Sequence, residues 1–127
     1  MGLLNLLLDT HVLLWWLAND AQLSKRARSA IVEADKIYVS AASVWEIAIK
    51  SASGKLRAPA DLEGLMASNG FLELPISIAH ASAAGKLPRL HPDPFDRMLV
   101  AQAQIESLTL LTNDRALKAY GGQIMLA

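Results

Sequence analysis

Four acidic residues lie inside or directly beside apolar segments of the sequence, where carboxylates are costly to keep: Asp9, Glu46, Asp96 and Asp114. Asp9 is the clearest case, because it interrupts the apolar stretch Leu3–Leu17. An unpaired carboxylate that is buried costs several kcal/mol or must take up a proton. Hard divalent cations such as Mg²⁺ and Mn²⁺ favour oxygen ligands and would relieve the repulsion among carboxylates gathered in one cleft. A metal bound there would lower the pKa of a water molecule and prepare it to attack phosphorus.

The hydrophobic pattern predicts elements that would bring these acids together. Short apolar or β-branched segments predict strands at Leu3–Leu8, Lys36–Ser40, Phe71–Ile76, Leu108–Thr112 and Gln123–Ala127. Helical patterns lie between them, at His11–Ala18, Ser24–Ala34, Ala41–Gly54, Ala60–Ser68, Ser77–Gly85 and Pro94–Glu106, with a helical turn at Arg115–Tyr120. Alternating strands and helices imply right-handed crossovers and a mostly parallel sheet covered on both faces.

The carboxyl edge of such a sheet is the expected site, because ligands of open α/β sheets bind outside the carboxyl ends of the strands. Asp9 follows the first strand and Asp114 follows the fourth, so both lie at that edge. Glu46 and Asp96 reach the same edge if their helices pack there.

Each acid also has a purely structural interpretation. Asp9 or Asp114 can cap a helix or turn. Asp96 can be a first-turn acid favoured by the helix dipole, and Glu46 can pair with Lys50 one helical turn later. Only the joint placement of the four acids favours a shared site over these separate roles.

Two neighbouring residues have less certain roles. Asp93 directly precedes Pro94, which suits the first turn of a helix, so Asp93 is predicted chiefly as an N-cap and only secondarily as a metal contact. His11, two residues after Asp9, is predicted as a structural group rather than a ligand.

Composition bounds the class of protein. With 127 residues and 53% hydrophobic content, the chain is predicted to form a single domain spanning residues 1–127. It contains no cysteine, which excludes disulfides and cysteine-ligated zinc and is compatible with a reducing cytoplasm.

The apolar start is too short to span a bilayer and lacks the basic segment of a signal peptide, so we expect a soluble, cytoplasmic protein without membrane association. The zero net charge argues weakly against a general nucleic-acid coat protein.

Four sequence blocks resemble the signature blocks of PIN-domain ribonucleases, in the same order: "LLLDTHVLLWWL", "SAASVWEIAIKSASGKL", "HPDPFDRMLVAQAQ" and "LTLLTND". The VapC-type toxins of toxin–antitoxin pairs are the most similar subgroup, and the resemblance covers essentially the whole chain. It implies a PIN-like three-layer α/β/α sandwich with a five-stranded parallel sheet in the order 3-2-1-4-5.

The resemblance also implies roles for particular residues. Asp9, Glu46, Asp96 and Asp114 match the acids that hold one or two Mg²⁺ or Mn²⁺ ions, with Thr10 and Thr112 assisting through hydrogen bonds or water. Of the two neighbouring aspartates, Asp96 is assigned to the metal and Asp93 stays a supporting residue. His11 replaces an asparagine that is common at this position in the wider family.

The implied function is a metal-dependent endoribonuclease, the toxin of a type II toxin–antitoxin pair, which leaves a 3′-hydroxyl and a 5′-phosphate. The alternative is a catalytically inactive PIN-like module that binds RNA or protein. Expected partners are RNA, a small cognate antitoxin and a second copy of the chain, with operator DNA bound only through the antitoxin. Arg97 and Arg115 are candidates for contacting the phosphates of RNA.

Two other α/β classes fit less well. A dinucleotide-binding module needs a glycine-rich turn after the first strand, and "DTHVLL" has none. A phosphotransfer domain of the haloacid-dehalogenase type expects a second aspartate two residues after the first, where this chain has His11.

The segment "VLLWWLA" at Val12–Ala18 predicts a partner surface. It is apolar all round, whereas a sheet can bury only one side of a helix. Trp15 and Trp16 point about 100° apart, so we expect one of them to face away from the sheet and to be covered by a second copy or by the antitoxin.

Overall fold

The computed structural model describes residues 3–127, and its centre is a five-stranded sheet. The strands are β1 (Asn5–Leu8), β2 (Lys36–Ser40), β3 (Leu72–Leu74), β4 (Thr109–Thr112) and β5 (Ile124–Leu126). All pairs are parallel, and the order is β3-β2-β1-β4-β5. The predicted fold class and strand order are confirmed.

Six α-helices and one 3₁₀ helix connect these strands: α1 (Thr10–Leu17), α2 (Lys25–Glu33), α3 (Ala41–Ala52), α4 (Leu62–Ser68), α5 (Ile78–Lys86), α6 (Pro94–Glu106) and the 3₁₀ helix Arg115–Tyr120. Side-chain caps mark where helices begin. Ser40 caps α3 and Asp61 caps α4, each by accepting a backbone N–H of the first turn. Helix α4 therefore begins after Asp61 and not at Ala60, as the sequence pattern suggested.

The outer strand β3 is shorter than the sequence pattern predicts. It ends at Leu74, whereas the apolar run continues to Ile76. Pro75 follows directly and has no N–H to donate to a strand ladder. The Pro75 carbonyl instead accepts a hydrogen bond from the Gln102 side chain of α6, 3.3 Å away.

Strand β1 carries apolar side chains to both faces of the sheet. Leu6 and Leu8 pack into one buried cluster with residues of α1, α2 and α3, such as Val12, Ile31 and Ile47. Leu7 points into a second cluster with α6 and the 3₁₀ helix, including Leu99 and Leu117. The alternation of side chains along a strand thus produces the three layers. No helix within residues 3–127 is long and apolar enough to cross a bilayer.

Candidate metal centre at the carboxyl edge of the sheet

Asp9 lies directly after β1, at the middle of the carboxyl edge, and is both a helix cap and a site residue. Its backbone N–H donates to the Leu111 carbonyl of β4 at 3.0 Å, and its Oδ1 accepts the N–H of Val12 at 2.8 Å. Its Oδ2 accepts from the Thr112 hydroxyl and from the Asn113 N–H, 3.2 Å away. Burial raises the pKa of Asp9, and these hydrogen bonds offset only part of that effect.

Glu46 reaches the same edge from α3, which begins directly at the end of β2. It is 4% exposed, and its Oε1 accepts from the Thr10 hydroxyl at 2.6 Å. Its Oε2 pairs with Nζ of Lys50, so the predicted pair one helical turn apart is present. The hydrogen bond with Glu46 raises the pKa of Lys50. The positively charged ammonium group of Lys50 therefore lies at one wall of the acidic cleft.

The start of α6 contributes two aspartates with different roles. Asp93 is the N-cap, as the sequence predicts, and its Oδ1 accepts the N–H groups of Phe95 and Asp96 at 2.8 and 3.4 Å. Asp96 lies in the first turn of α6 and is partly buried. Burial, together with the negative charges of Asp93 and Asp9, raises the pKa of Asp96 to about 7. Carboxylates this close favour retention of a proton or the binding of a cation.

Asp114 follows β4 and begins the 3₁₀ helix. Its backbone N–H donates to the Thr112 hydroxyl at 3.0 Å, and its Oδ1 accepts the N–H of Ala116 at 3.0 Å. Its Oδ2 lies 2.7 Å from Nε2 of His91. The same nitrogen is 3.7 Å from Oδ2 of Asp96.

One cavity of about 290 Å³ collects the four acids that the sequence singled out. Its walls are formed by Asp9, Thr10, His11, Glu46, Lys50, Asp93, Asp96, Asn113 and Asp114. Within the described residues, one potential ligand atom from each of His91, Asp96 and Asp114 lies within 4.8 Å of the others. The donor set is rich in carboxylate oxygens, which suits a hard divalent cation.

His91 is the site residue that sequence reasoning missed. It lies in the loop between α5 and α6, and its contact with Asp114 joins residues 23 positions apart. The only signal in the sequence is its position two residues before the capping Asp93, in "HPDPFD".

Arg97, predicted as a phosphate contact, has a structural role in this fold. Its guanidinium faces the loop before α6 and not the acidic cavity. One terminal nitrogen donates to the Pro88 carbonyl and the Tyr120 hydroxyl, and the other to the carbonyls of Ala84 and Leu87, at 2.9–3.3 Å. All four terminal N–H groups are therefore engaged in holding the loop, and the phosphate contact stays a prediction. Arg115 is exposed beside Asp114, as a phosphate contact requires.

The tryptophans of α1 are both partly buried. Trp15 and Trp16 pack against the core cluster that contains Val12. The indole N–H of Trp16 donates to Asn69 at the end of α4, at 3.0 Å, so a neighbouring helix covers part of this ring. A more exposed aromatic, Trp45 on α3, is 62% exposed and meets Phe95 edge-on, with 5.6 Å between ring centroids. The sequence did not single out this pair.

Comparison with known proteins identifies the family. Residues 6–123 match the model of the PIN domain. The chain is 32% identical over 117 residues to Ribonuclease VapC22 of Mycobacterium tuberculosis, covering 90% of both chains. It belongs to the PIN-domain family. Within that family it is a homologue of the VapC type, and the predicted resemblance is confirmed.

Solved structures of VapC-type complexes share this fold. VapBC2 from Rickettsia felis, bound to a DNA fragment from its promoter, superposes on this PIN domain with a TM-score of 0.70 at 14% identity, covering 98% of each chain. DNA-bound VapBC from Salmonella typhimurium gives a TM-score of 0.69 at 18% identity, covering 97% of this chain and 98% of the other.

Proposed function

We propose that this PIN domain is a Mg²⁺- or Mn²⁺-dependent endoribonuclease that acts in the cytoplasm as the toxin of a type II toxin–antitoxin pair. The observation that carries this proposal is the convergence of Asp9, Glu46, Asp96 and Asp114 on one cavity, in a chain homologous to Ribonuclease VapC22. Fold alone would not support an activity, because one fold hosts many functions.

The residues of the cavity fit one or two hard divalent cations. Asp9, Asp96, Glu46 and Asp114 would hold them through carboxylate oxygens. The raised pKa values of Asp9 and Asp96 support this, because burial and neighbouring negative charge make each carboxylate costly without a countercharge. When bound, such an ion would neutralise charge at the scissile phosphate and lower the pKa of the attacking water.

The residues of the chain would orient the reacting groups. Thr112 and Asn113 hold one oxygen of Asp9, and Thr10 holds one oxygen of Glu46, so neither carboxylate has to reorganise during the reaction. Lys50 lies in the cavity wall, where its charge would favour the phosphate. Attack in line with the 3′-oxygen would leave a 3′-hydroxyl and a 5′-phosphate.

The test is cleavage of single-stranded RNA by purified Asp9→Asn and Asp96→Asn variants, with Mg²⁺, with Mn²⁺ and with EDTA. We expect both variants and EDTA to abolish cleavage. Asp35→Asn is a matched control, because Asp35 is an exposed aspartate at the opposite end of the sheet, before β2. Full activity in EDTA or in either variant contradicts the proposal, and RNA binding without cleavage by the unmodified chain supports an inactive binding module instead.

We also propose the partners that the relatives suggest. VapBC2 and VapBC were solved bound to DNA, and a further similar structure is a toxin–antitoxin complex from Klebsiella pneumoniae. We expect this PIN domain to form a homodimer, to bind a small antitoxin and to meet operator DNA only through that antitoxin. Co-expression with an adjacent small reading frame, followed by mass measurement in solution, tests this assembly.

A further inference from the structure

We propose that His91 is a positioning residue that fixes the carboxylate of Asp114, and that it is not itself a metal ligand. This inference rests on the proposed metal-dependent function of the cavity. His91 lies in the loop before α6, beside Asp96 and Asp114.

The two ring nitrogens of His91 have different partners. Nδ1 accepts the backbone N–H of Asp93 at 3.1 Å. An imidazole nitrogen that accepts a hydrogen bond carries no proton, so the proton of the neutral ring must be on Nε2. Nε2 lies 2.7 Å from Oδ2 of Asp114 and therefore donates to that oxygen.

This tautomer makes metal binding through His91 unfavourable. To bind a cation, Nε2 would have to lose its proton to Nδ1. The protonated Nδ1 would then face the N–H of Asp93, so that two donors opposed each other. That N–H belongs to Asp93, the N-cap of α6, whose side chain is bonded to the first turn of the helix, so it cannot turn away at low cost. Nearness to Asp96 and Asp114 is thus not evidence of ligation.

The carboxylate of Asp114 gains a fixed orientation from this contact. Its Oδ1 accepts the N–H of Ala116, and its Oδ2 accepts from His91, so the group is held at both oxygens. Each oxygen keeps a further lone pair for a cation. Histidines usually bind the metal and are oriented by a carboxylate. Here the order is reversed, because the histidine orients the carboxylate that would face the metal.

The loop that carries His91 is anchored from α6. Arg97 donates to the carbonyls of Leu87 and Pro88, and the Leu90 N–H donates to Pro88 at 2.8 Å. The His91 side chain is 13% exposed. The loop backbone just before His91 and the His91 ring are therefore both held before any cation binds.

The tautomer can be measured directly in the unmodified protein. Two-dimensional ¹⁵N–¹H NMR of the imidazole rings, recorded without metal at about pH 8, where ordinary histidines are neutral, distinguishes the two neutral forms. We expect His91 to show a proton on Nε2 and a bare Nδ1, and to keep that form when Mg²⁺ is added. A proton on Nδ1, or a loss of the Nε2 proton on addition of Mg²⁺, overturns the proposal. Spectra of His11→Asn and His80→Gln assign the remaining signals.

Mn²⁺ affinity, measured by titration with electron paramagnetic resonance, supplies a second readout. We expect His91→Leu, which lacks a donor, to weaken Mn²⁺ binding by about tenfold or more, as loss of outer-shell partners does. His91→Gln carries an N–H₂ donor and should recover most of that loss. Equal affinity of His91→Leu and the unmodified protein would also overturn the proposal.

This experiment separates the inference from the proposed function. Neither readout needs RNA, so the tautomer and the Mn²⁺ affinities can match expectation in a protein that cleaves nothing. That outcome would contradict the ribonuclease proposal and leave the role of His91 standing. Absence of any Mn²⁺ binding by the unmodified chain would contradict both.

Discussion

The hydroxyl of Thr112 donates a hydrogen bond to Oδ2 of Asp9 and joins the ends of two neighbouring strands, although the residues are 103 positions apart. The hydroxyl oxygen of Thr112 in turn accepts a hydrogen bond from the backbone N–H of Asp114, 3.0 Å away. Thr112 therefore connects two of the four acids of the proposed metal centre. Thr112 is fully buried, and its hydroxyl fixes one carboxylate and the chain that leads to another.

Replacing Thr112 with valine keeps the shape of the side chain and removes both hydrogen bonds. We expect Mn²⁺ affinity and RNA cleavage to fall by about tenfold to a hundredfold, because Asp9 loses a donor that holds it in place. Thr109→Val is a matched control at the other end of β4. The Thr109 hydroxyl donates to the side chain of Gln123, 3.2 Å away, and not to a residue of the acidic site. If the two variants lose affinity and activity equally, Thr112 has no special role at the site.

The pKa of Asp96 predicts how the stability of the metal-free protein depends on pH. Its pKa in the folded protein is about 7, above the ordinary aspartate value of about 3.9. Between these values the folded protein keeps a proton that the unfolded chain has released, so raising the pH lowers the free energy of unfolding. Burial raises the pKa of Asp9 too, which adds in the same direction.

Thermal melts in EDTA between about pH 4 and pH 8 check this dependence. We expect the melting temperature to fall across this range and the fall to be smaller in Asp96→Asn, which has no carboxylate to ionise. Mg²⁺ should raise the melting temperature most at the upper end, because the cation competes with the proton for Asp96. If the melting temperature depends on pH equally in Asp96→Asn and in the unmodified protein, the shift of Asp96 is contradicted.

The sequence was sufficient to place residues whose role follows from local pattern. Asp9 directly follows an apolar strand and Glu46 lies on the helix that begins at the end of the next, so the parallel sheet alone brings them to one edge. The cap by Asp93 follows from the proline after it. Strand order came from the family resemblance, since periodicity does not say which strands are neighbours.

What the sequence could not show depends on contacts between distant loops. His91 meets Asp114 only because the loop before α6 folds back over the end of β4, and nothing in the local pattern of "KLPRLHPD" specifies that path. The hydrogen bonds of Arg97 are hidden from the sequence for a related reason. Positive charge is visible in a sequence, but the carbonyl groups that a guanidinium faces are not.

Arg97 therefore provides a stability prediction. Arg97→Met keeps the apolar stem and removes four hydrogen bonds, so we expect a loss of about 2 kcal/mol in the free energy of unfolding. Arg115→Met, at an exposed position, should change it by less than about 0.5 kcal/mol. Urea unfolding measures both. If Arg97→Met keeps full stability but binds RNA less tightly, Arg97 contacts phosphate, as the sequence predicts.

The two tryptophans of α1 give the last prediction, which concerns partners. Both rings pack on the core and keep part of their surface exposed, and Trp16 also bonds Asn69 of α4. Aromatic residues are enriched at the centres of interfaces, so we expect Trp15→Ser or Trp16→Ser to weaken the homodimer or the antitoxin complex by about tenfold or more. Because serine also removes core packing, Trp15→Leu and Trp16→Leu are needed as folded counterparts. Trp45→Ser is the comparison at an exposed tryptophan on another helix. Light scattering gives the mass and titration calorimetry the antitoxin affinity. If all four α1 variants stay folded with unchanged mass and affinity, the tryptophans of α1 serve the core alone.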